Sequence, residues 1–303
     1  MKGVHVQPQI YAHRGASGQY AEHTRAAYLQ ALAEGADGVE CDVHLSADLQ
    51  PVLLHDSVVD RTSNGTGPVA GYTLEQLRSL DFSTWKGAAI PAGRGGAREQ
   101  FLTLAELLDL LVAAGRDVGL AVEFKQPGPF GLLLEDTVLE LLASRGWDAA
   151  RSRLANIRVS FMSFSPVSVA HLRRTVGAGF VCQLVADVDA AAVAEAEAVL
   201  PAGTDVRARL EAGLAEAEAV LAAGGAGIAG PGVEYLYAHP ERISEWVRSG
   251  RTVRAWTVDE QRDAEYAYSL GVREFTTNYP ARMRRILADI TGGSAPVQEP
   301  SRP

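Results

Sequence analysis

The sequence predicts a (β/α)8 TIM barrel that carries a small insertion after its second strand. Short β-branched runs alternate with amphipathic or Ala/Leu-rich runs along nearly the whole chain, the pattern of a parallel sheet covered by helices. Eight such units occupy about 250 residues, the usual size of one barrel. No Gly-x-Gly-x-x-Gly turn follows the first strand, which weighs against the runner-up, a doubly wound sheet. At 303 residues the chain is long enough to bury the core of such a domain.

In chain order, strands are expected at 9–12, 37–43, 118–124, 157–162, 180–184, 227–230, 252–257 and 273–277. Helices are expected between them at 24–34, 104–114, 132–145, 165–176, 240–249, 261–270 and 280–290. Two regions depart from the alternation. Residues 56–103 are turn-rich, with Ser63-Asn64-Gly65-Thr66-Gly67-Pro68 and Pro91-Ala92-Gly93-Arg94-Gly95-Gly96, and are too long for an ordinary βα loop. We assign them to an insertion at the barrel mouth. Residues 189–223 are rich in Ala, Glu and Val and predict two helices around a break at 201–203, with room for a strand that the pattern does not place. The barrel domain is expected to span 8–290, and the Gly/Ser/Pro-rich tail 291–303 to be disordered.

Composition narrows the function classes. The chain is 47% hydrophobic and 21% charged, ordinary for a globular protein, and has no apolar run long enough to span a membrane. Met1-Lys2-Gly3-Val4-His5 lacks the apolar stretch of a secretory signal, so a cytoplasmic protein is expected. A net charge of −9 argues against nucleic-acid binding, which needs clustered Lys and Arg. It leaves open a small anionic substrate, because a bound divalent cation reverses the local field. Cys41 and Cys182 are too few for a disulfide framework and are expected to be reduced core residues.

Strand parity carries the chemistry. In Gly38-Val39-Glu40-Cys41-Asp42-Val43, Glu40 and Asp42 share one face, and Val39, Cys41 and Val43 the other. If the apolar set faces the helices, both carboxylates lie inside the barrel, where they require a cation, a proton or strong hydrogen bonds. Glu123 and Lys125 repeat this parity against Val122 and Phe124. Three converging carboxylates form an oxygen-rich site for a hard cation, Mg2+ or Ca2+ rather than zinc. Simple pairing of Glu123 with Lys125 is the competing account. His44 has the parity of a further ligand, but its place at the strand end points to a solvated loop. His13 ends the first strand, and His55 follows the apolar run Pro51-Val52-Leu53-Leu54; a pair of imidazoles at strand ends can supply an acid and a base. Arg14 offers a planar fork for a phosphate oxygen or a nearby carboxylate.

These residues resemble the glycerophosphodiester phosphodiesterase family. The marks are His13-Arg14-Gly15, Glu40-Cys41-Asp42, His55-Asp56 and the turn Gly67-Pro68-Val69. Later ones follow in order: Glu123-Phe124-Lys125, Ser163-Phe164, Trp256-Thr257-Val258 and Thr277-Asn278-Tyr279-Pro280. The match covers roughly residues 10–290 and is strongest in the first quarter. The resemblance implies a barrel with an insertion after the second strand and a divalent cation on Glu40, Asp42 and Glu123. It also implies His13 and His55 as the acid/base pair, Arg14 and Lys125 as phosphate contacts, and Trp256 lining the glycerol end of the pocket. The implied reaction is hydrolysis of a small glycerophosphodiester to sn-glycerol 3-phosphate and an alcohol.

The chain departs from the family pattern at several places. Glu22-His23-Thr24 stands where Glu-Asn-Thr is usual, Asp259 follows Val258 where Asn is usual, and Asn278 stands where Asp is usual. Ser46-Ala47-Asp48-Leu49 replaces a Thr-x-Asp-Gly turn. His23, larger and titratable, is expected to reshape the substrate pocket. Three other functions stay open: a lysophospholipase D-like enzyme, a non-catalytic barrel that binds a phosphodiester or polyol, and a metal-dependent sugar isomerase. The isomerase is disfavoured because the later strands supply few further ligands.

Overall fold

Residues 7–197, 200 and 203–292 are described in a computed structural model. Val39, Cys41 and Val43 pack into one apolar cluster with Leu120, Val122 and Phe124 and with the helix residues Leu104, Leu107, Leu108 and Leu111. Alternation thus sends the apolar parity of adjacent strands outward to the helices, as a closed parallel sheet requires.

The eight barrel strands are β1 (Gln9–Ala12), β2 (Gly38–Leu45), β3 (Val118–Phe124), β4 (Ile157–Ser163), β5 (Val181–Val185), β6 (Ile228–Pro231), β7 (Thr252–Ala255) and β8 (Glu274–Thr277). All pair in parallel with their neighbours, and β1 pairs with both β8 and β2, closing the barrel. The β2–β3 register sets Asp42 opposite Glu123. Toward the other end of the strands the interior is filled by Tyr11 and by Arg254, whose guanidinium lies 4.0 Å from the Tyr11 ring centre. Arg254 is held there by Glu274 at 2.7 Å and Ser160 at 3.0 Å. Tyr11 fills the space beside Gly38 and Gly119; a Cβ on either would come within 2.5 or 2.6 Å of it.

The helices start where the sequence supplies caps. Thr24 accepts from the Ala27 amide ahead of helix Arg25–Ala33. Thr103 and Glu106 form a reciprocal capping box at helix Leu104–Ala113, whose Leu104, Leu107, Leu108 and Leu111 recur at helical spacing and are buried. Segment 189–223 forms helices Ala190–Glu197 and Val206–Ala222 and, among the described residues, no strand. Helix Val233–Ala238 was not expected; at six residues it is too short to show a periodic apolar face. Helix Pro280–Thr291 ends on Gly292 in the left-handed region, and the rest of the expected tail, 293–303, lies outside the described residues.

The segment before His55 differs from expectation. Pro51–Leu53 is not a barrel strand but runs back antiparallel to β2, pairing Val43 with Leu53 and Leu45 with Pro51. His55 therefore reaches the mouth on the return arm of a hairpin. The following residues fold over a small cluster of their own, in which Val52, Leu54, Val59, Val69, Leu77, Phe82 and Phe101 are buried. No helix among the described residues is long and apolar enough to cross a membrane.

This small cluster gives the first prediction. Leu77, wholly buried on helix Leu74–Ser79, should cost about 2–5 kcal/mol when truncated to Ala. The measurement is the urea midpoint of Leu77→Ala. A midpoint equal to that of the parent protein would mean that this cluster carries no cooperative stability.

Candidate active site at the barrel mouth

The site is assembled where β1, β2 and β3 end. His13 is the first residue beyond β1, and its amide donates to the Thr277 carbonyl at 2.8 Å. Arg14 and Gly15 then turn the chain with φ of 56° and 82°. Gly15 is required on two counts, since a Cβ there would also meet the Ala27 backbone at 2.6 Å. The turn aims the Arg14 amide at Glu40 Oε2, 2.9 Å away. A non-glycine residue held in this region is strained, and such strain gathers at functional sites.

Glu40, Asp42 and Glu123 are buried, and one oxygen from each lies within 4.8 Å of the others. Asp42 Oδ2 faces Arg14 Nε at 3.0 Å and His23 Nε2 at 2.9 Å, while its Oδ1 faces Lys125 Nζ at 3.0 Å. Lys125 also donates to Glu123 Oε1 at 2.5 Å. Glu123 and Lys125 are thus paired, and the pair forms part of the larger cluster.

The electrostatics follow from this crowding. Burial and the nearby Asp42 and Glu123 charges raise the Glu40 carboxyl well above the usual range. Burial also raises Glu123, against the pull of Lys125. Burial opposes ionisation of Asp42 as well, but Lys125 and Arg14 outweigh it and hold this carboxyl well below the usual range. Glu40 Oε1 is buried with no hydrogen-bond partner among the described residues. Three carboxylates, all hard oxygen donors with one oxygen orphaned, fit a divalent cation of the Mg2+ or Ca2+ type.

Each of the two expected acid/base histidines has Nδ1 engaged. His13 Nδ1 lies 2.8 Å from Asn278 Oδ1. The Asn278 amide is oriented by its Nδ2, which donates to Asp259 Oδ2 at 2.6 Å, so Oδ1 is the acceptor and His13 carries its proton on Nδ1. His13 Nε2 is left to receive a proton, and burial and the Arg14 charge lower its pKa to about 3. His55 Nδ1 lies 2.7 Å from Asp56 Oδ1, an acceptor, so this ring too carries a proton on Nδ1.

Other expected residues fall elsewhere. His44 is neither solvated nor part of the carboxylate group: it is buried, and its Nε2 donates to the His55 carbonyl at 3.2 Å because the return arm covers it. His23 does not line the mouth. It is buried behind Asp42, with Nδ1 2.8 Å from the Tyr28 hydroxyl. Trp256, directly after β7, donates to the Gly230 carbonyl at 2.8 Å and meets Phe164 edge to face at 5.5 Å.

Four residues that pattern alone did not mark out complete the site. Asn278 and Asp259 orient His13. Glu22 Oε1 accepts from Arg14 Nη1 at 2.9 Å, and Arg61 contacts both Glu22 and Asp56. The one available signal for Asn278 and Asp259 was the reciprocal exchange of Asn and Asp relative to the family pattern.

The chain is similar to known proteins along nearly its whole length. The model of the glycerophosphoryl diester phosphodiesterase family matches residues 13–282. "Probable glycerophosphodiester phosphodiesterase 1" of Mycobacterium tuberculosis is 36% identical over 288 residues, 93% of each chain. The glycerophosphodiester phosphodiesterase of Caldanaerobacter subterraneus subsp. tengcongensis is 29% identical over 89% of this chain and 94% of its own. Among solved structures, an Oleispira antarctica phosphodiesterase in complex with the product sn-glycerol-3-phosphate shares the fold. Its TM-score is 0.67 at 23% identity, covering 93% of this chain and 97% of that one.

Glu22 yields a pH prediction. Burial opposes its ionisation, but Arg61 and Arg14 hold its pKa at about 2, below the ordinary value of 4.5. A lowered folded-state pKa contributes stability that is complete above about 4.5 and is lost as pH falls toward about 2. The stability gap between the parent and Glu22→Gln, measured by urea unfolding, should therefore narrow between pH 5 and 2. A gap constant across that range would contradict the assignment.

Proposed function

The chain belongs to the glycerophosphoryl diester phosphodiesterase family, and from that membership and the site geometry we propose that it hydrolyses glycerophosphodiesters to sn-glycerol 3-phosphate and an alcohol. The observation that carries the proposal is the buried Glu40–Asp42–Glu123 group with an orphaned Glu40 oxygen, accompanied by two histidines whose Nδ1 atoms are already engaged.

Glu40, Asp42 and Glu123 would hold a divalent cation, Mg2+ or Ca2+, that when bound polarises the phosphoryl group and lowers the pKa of an attacking hydroxyl. The remaining work falls to the chain. Arg14 and Lys125 would contact the phosphate oxygens, and Trp256 with Phe164 would form an aromatic wall for the glycerol end. One histidine takes the proton of the attacking hydroxyl as its oxygen bonds to phosphorus. The other, protonated on both ring nitrogens, gives its Nε2 proton to the alcohol oxygen as the bond from that oxygen to phosphorus breaks. The attacking hydroxyl is that of water, which gives glycerol 3-phosphate directly, or of the substrate's own glycerol, which gives a cyclic phosphodiester that water then opens to glycerol 3-phosphate. A fixed Nδ1–H on each ring leaves Nε2 as the proton-exchanging atom.

A second substrate class is supported by one observation. A cleft of about 250 Å3 beside Lys125 is lined by Leu45, Val69, Pro127, Pro129 and Phe130. Its apolar walls suit an alkyl chain, and so a lysolipid.

Three variants and a chelator test the proposal. Glu40→Ala, His13→Ala and His55→Ala should each lower turnover of glycerophosphocholine by roughly 100-fold or more, read as release of glycerol 3-phosphate. Chelation should abolish turnover, and adding back Mg2+ or Ca2+ in parallel identifies the working cation. Full activity after chelation, or in Glu40→Ala, would sink the metal-assisted mechanism. Comparing glycerophosphocholine with lysophosphatidylcholine separates the two substrate classes.

A further inference from the structure

Arg14 and His55 come from different parts of the chain, one from the turn after β1 and the other from the return arm of the β2 hairpin. One guanidinium joins them. Arg61 Nε donates to Asp56 Oδ2 at 2.7 Å and its Nη2 to Asp56 Oδ1 at 2.9 Å. The other edge of the same group donates to Glu22, Nη1 to Oε2 at 2.9 Å and Nη2 to Oε1 at 2.7 Å. Asp56 Oδ1 also takes the His55 Nδ1 proton at 2.7 Å, and Glu22 Oε1 takes Arg14 Nη1 at 2.9 Å. Through Arg14 Nε the chain of contacts reaches Asp42 Oδ2 at 3.0 Å.

We infer that Arg61 is a positioning residue: by clamping Glu22 and Asp56 with two forks, it sets the distance and angle between the phosphate-facing Arg14 and the proton-exchanging His55. The inference rests on the functional proposal above and adds to it a residue that touches none of the reacting atoms. The physical case has two parts. Without the guanidinium, Glu22 and Asp56 become two carboxylates sharing one space, and their repulsion drives apart the groups they hold. A lysine restores charge but not geometry, because an ammonium cannot make two planar forks at once. Arg61 is itself located by Trp85, whose ring centre lies 5.8 Å from its guanidinium carbon. An isolated ion pair at this exposure would carry little energy, so a role in stability alone predicts a small effect on everything.

The test uses the full chain with glycerophosphocholine and the divalent cation that supports turnover. Arg61→Met should lower kcat roughly 10–100-fold, as removal of other orienting partners does, while its melting temperature stays close to the parent's. Arg61→Ala should recover part of the lost kcat with added guanidinium, and not with ammonium at the same ionic strength. Arg61→Lys should remain well below the parent. Loss of the His55 Nδ1–H signal from the imidazole proton spectrum of Arg61→Met is expected independently of turnover. A kcat within twofold of the parent in both Arg61→Met and Arg61→Lys, with an unchanged imidazole spectrum, would overturn the inference. If the methionine variant does not fold, the lysine variant and its spectrum decide. An inactive parent protein with an altered Arg61→Met spectrum would instead count against the functional proposal and leave the clamp standing.

Discussion

Glu40, Asp42 and Glu123 repel one another where they are largely buried, and much of the surrounding architecture answers that repulsion. At 4.8 Å, the upper limit of their separation, and an effective dielectric of about 20, a pair of full charges costs about 3.5 kcal/mol. The chain answers with Lys125 between Asp42 and Glu123, with Arg14 on the far side of Asp42, and with a main-chain amide on Glu40. The compensation is uneven. Asp42, with both cations and His23, is firmly ionised, whereas Glu40 and Glu123 are driven toward their protonated forms. A bound divalent cation would supply what these two lack.

The work is divided between rigid and applied parts. The carboxylates sit within β2 and β3, fixed by a continuous ladder that sets Asp42 beside Glu123. The two histidines proposed to exchange protons lie outside the ladder, one on the turn after β1 and one on a hairpin arm. Each is steered by a polar partner: Asn278 with Asp259 for His13, and Asp56 for His55. The buried carboxylates are held by the barrel ladder, and the two histidines stand at its edge.

The strands and the inward parity of Glu40, Asp42 and Glu123 were legible because both follow from local periodicity, which the helix-covered sheet enforces. The path of His55 was not. Pro51–Leu53 reads as apolar and strand-forming in either direction, and only its pairing with Leu45, Val43 and their neighbours reveals a hairpin. Asn278, Asp259 and Asp56 stood out only through the family motifs, and their steering contacts left no other trace, for a different reason. Asn278 meets His13 across 265 residues and Arg61 meets Glu22 across 39, and single polar residues at such separations leave no periodic trace. His23 misled because its neighbours in sequence lie at the mouth, whereas its left-handed backbone, φ 60°, accompanies a side chain held inward between Asp42 and Tyr28.

The contact between the Arg14 amide and Glu40 has an evolutionary consequence. Because the donor is main chain, no replacement of the residue 14 side chain except proline removes it, provided the turn with Gly15 persists. Side-chain identity at 14 and orientation of the carboxylate at 40 are therefore separable traits. A lineage can explore new anion contacts at this position while the aim of its buried acid is inherited unchanged, and the glycine, rather than the arginine, is the residue that such drift cannot touch.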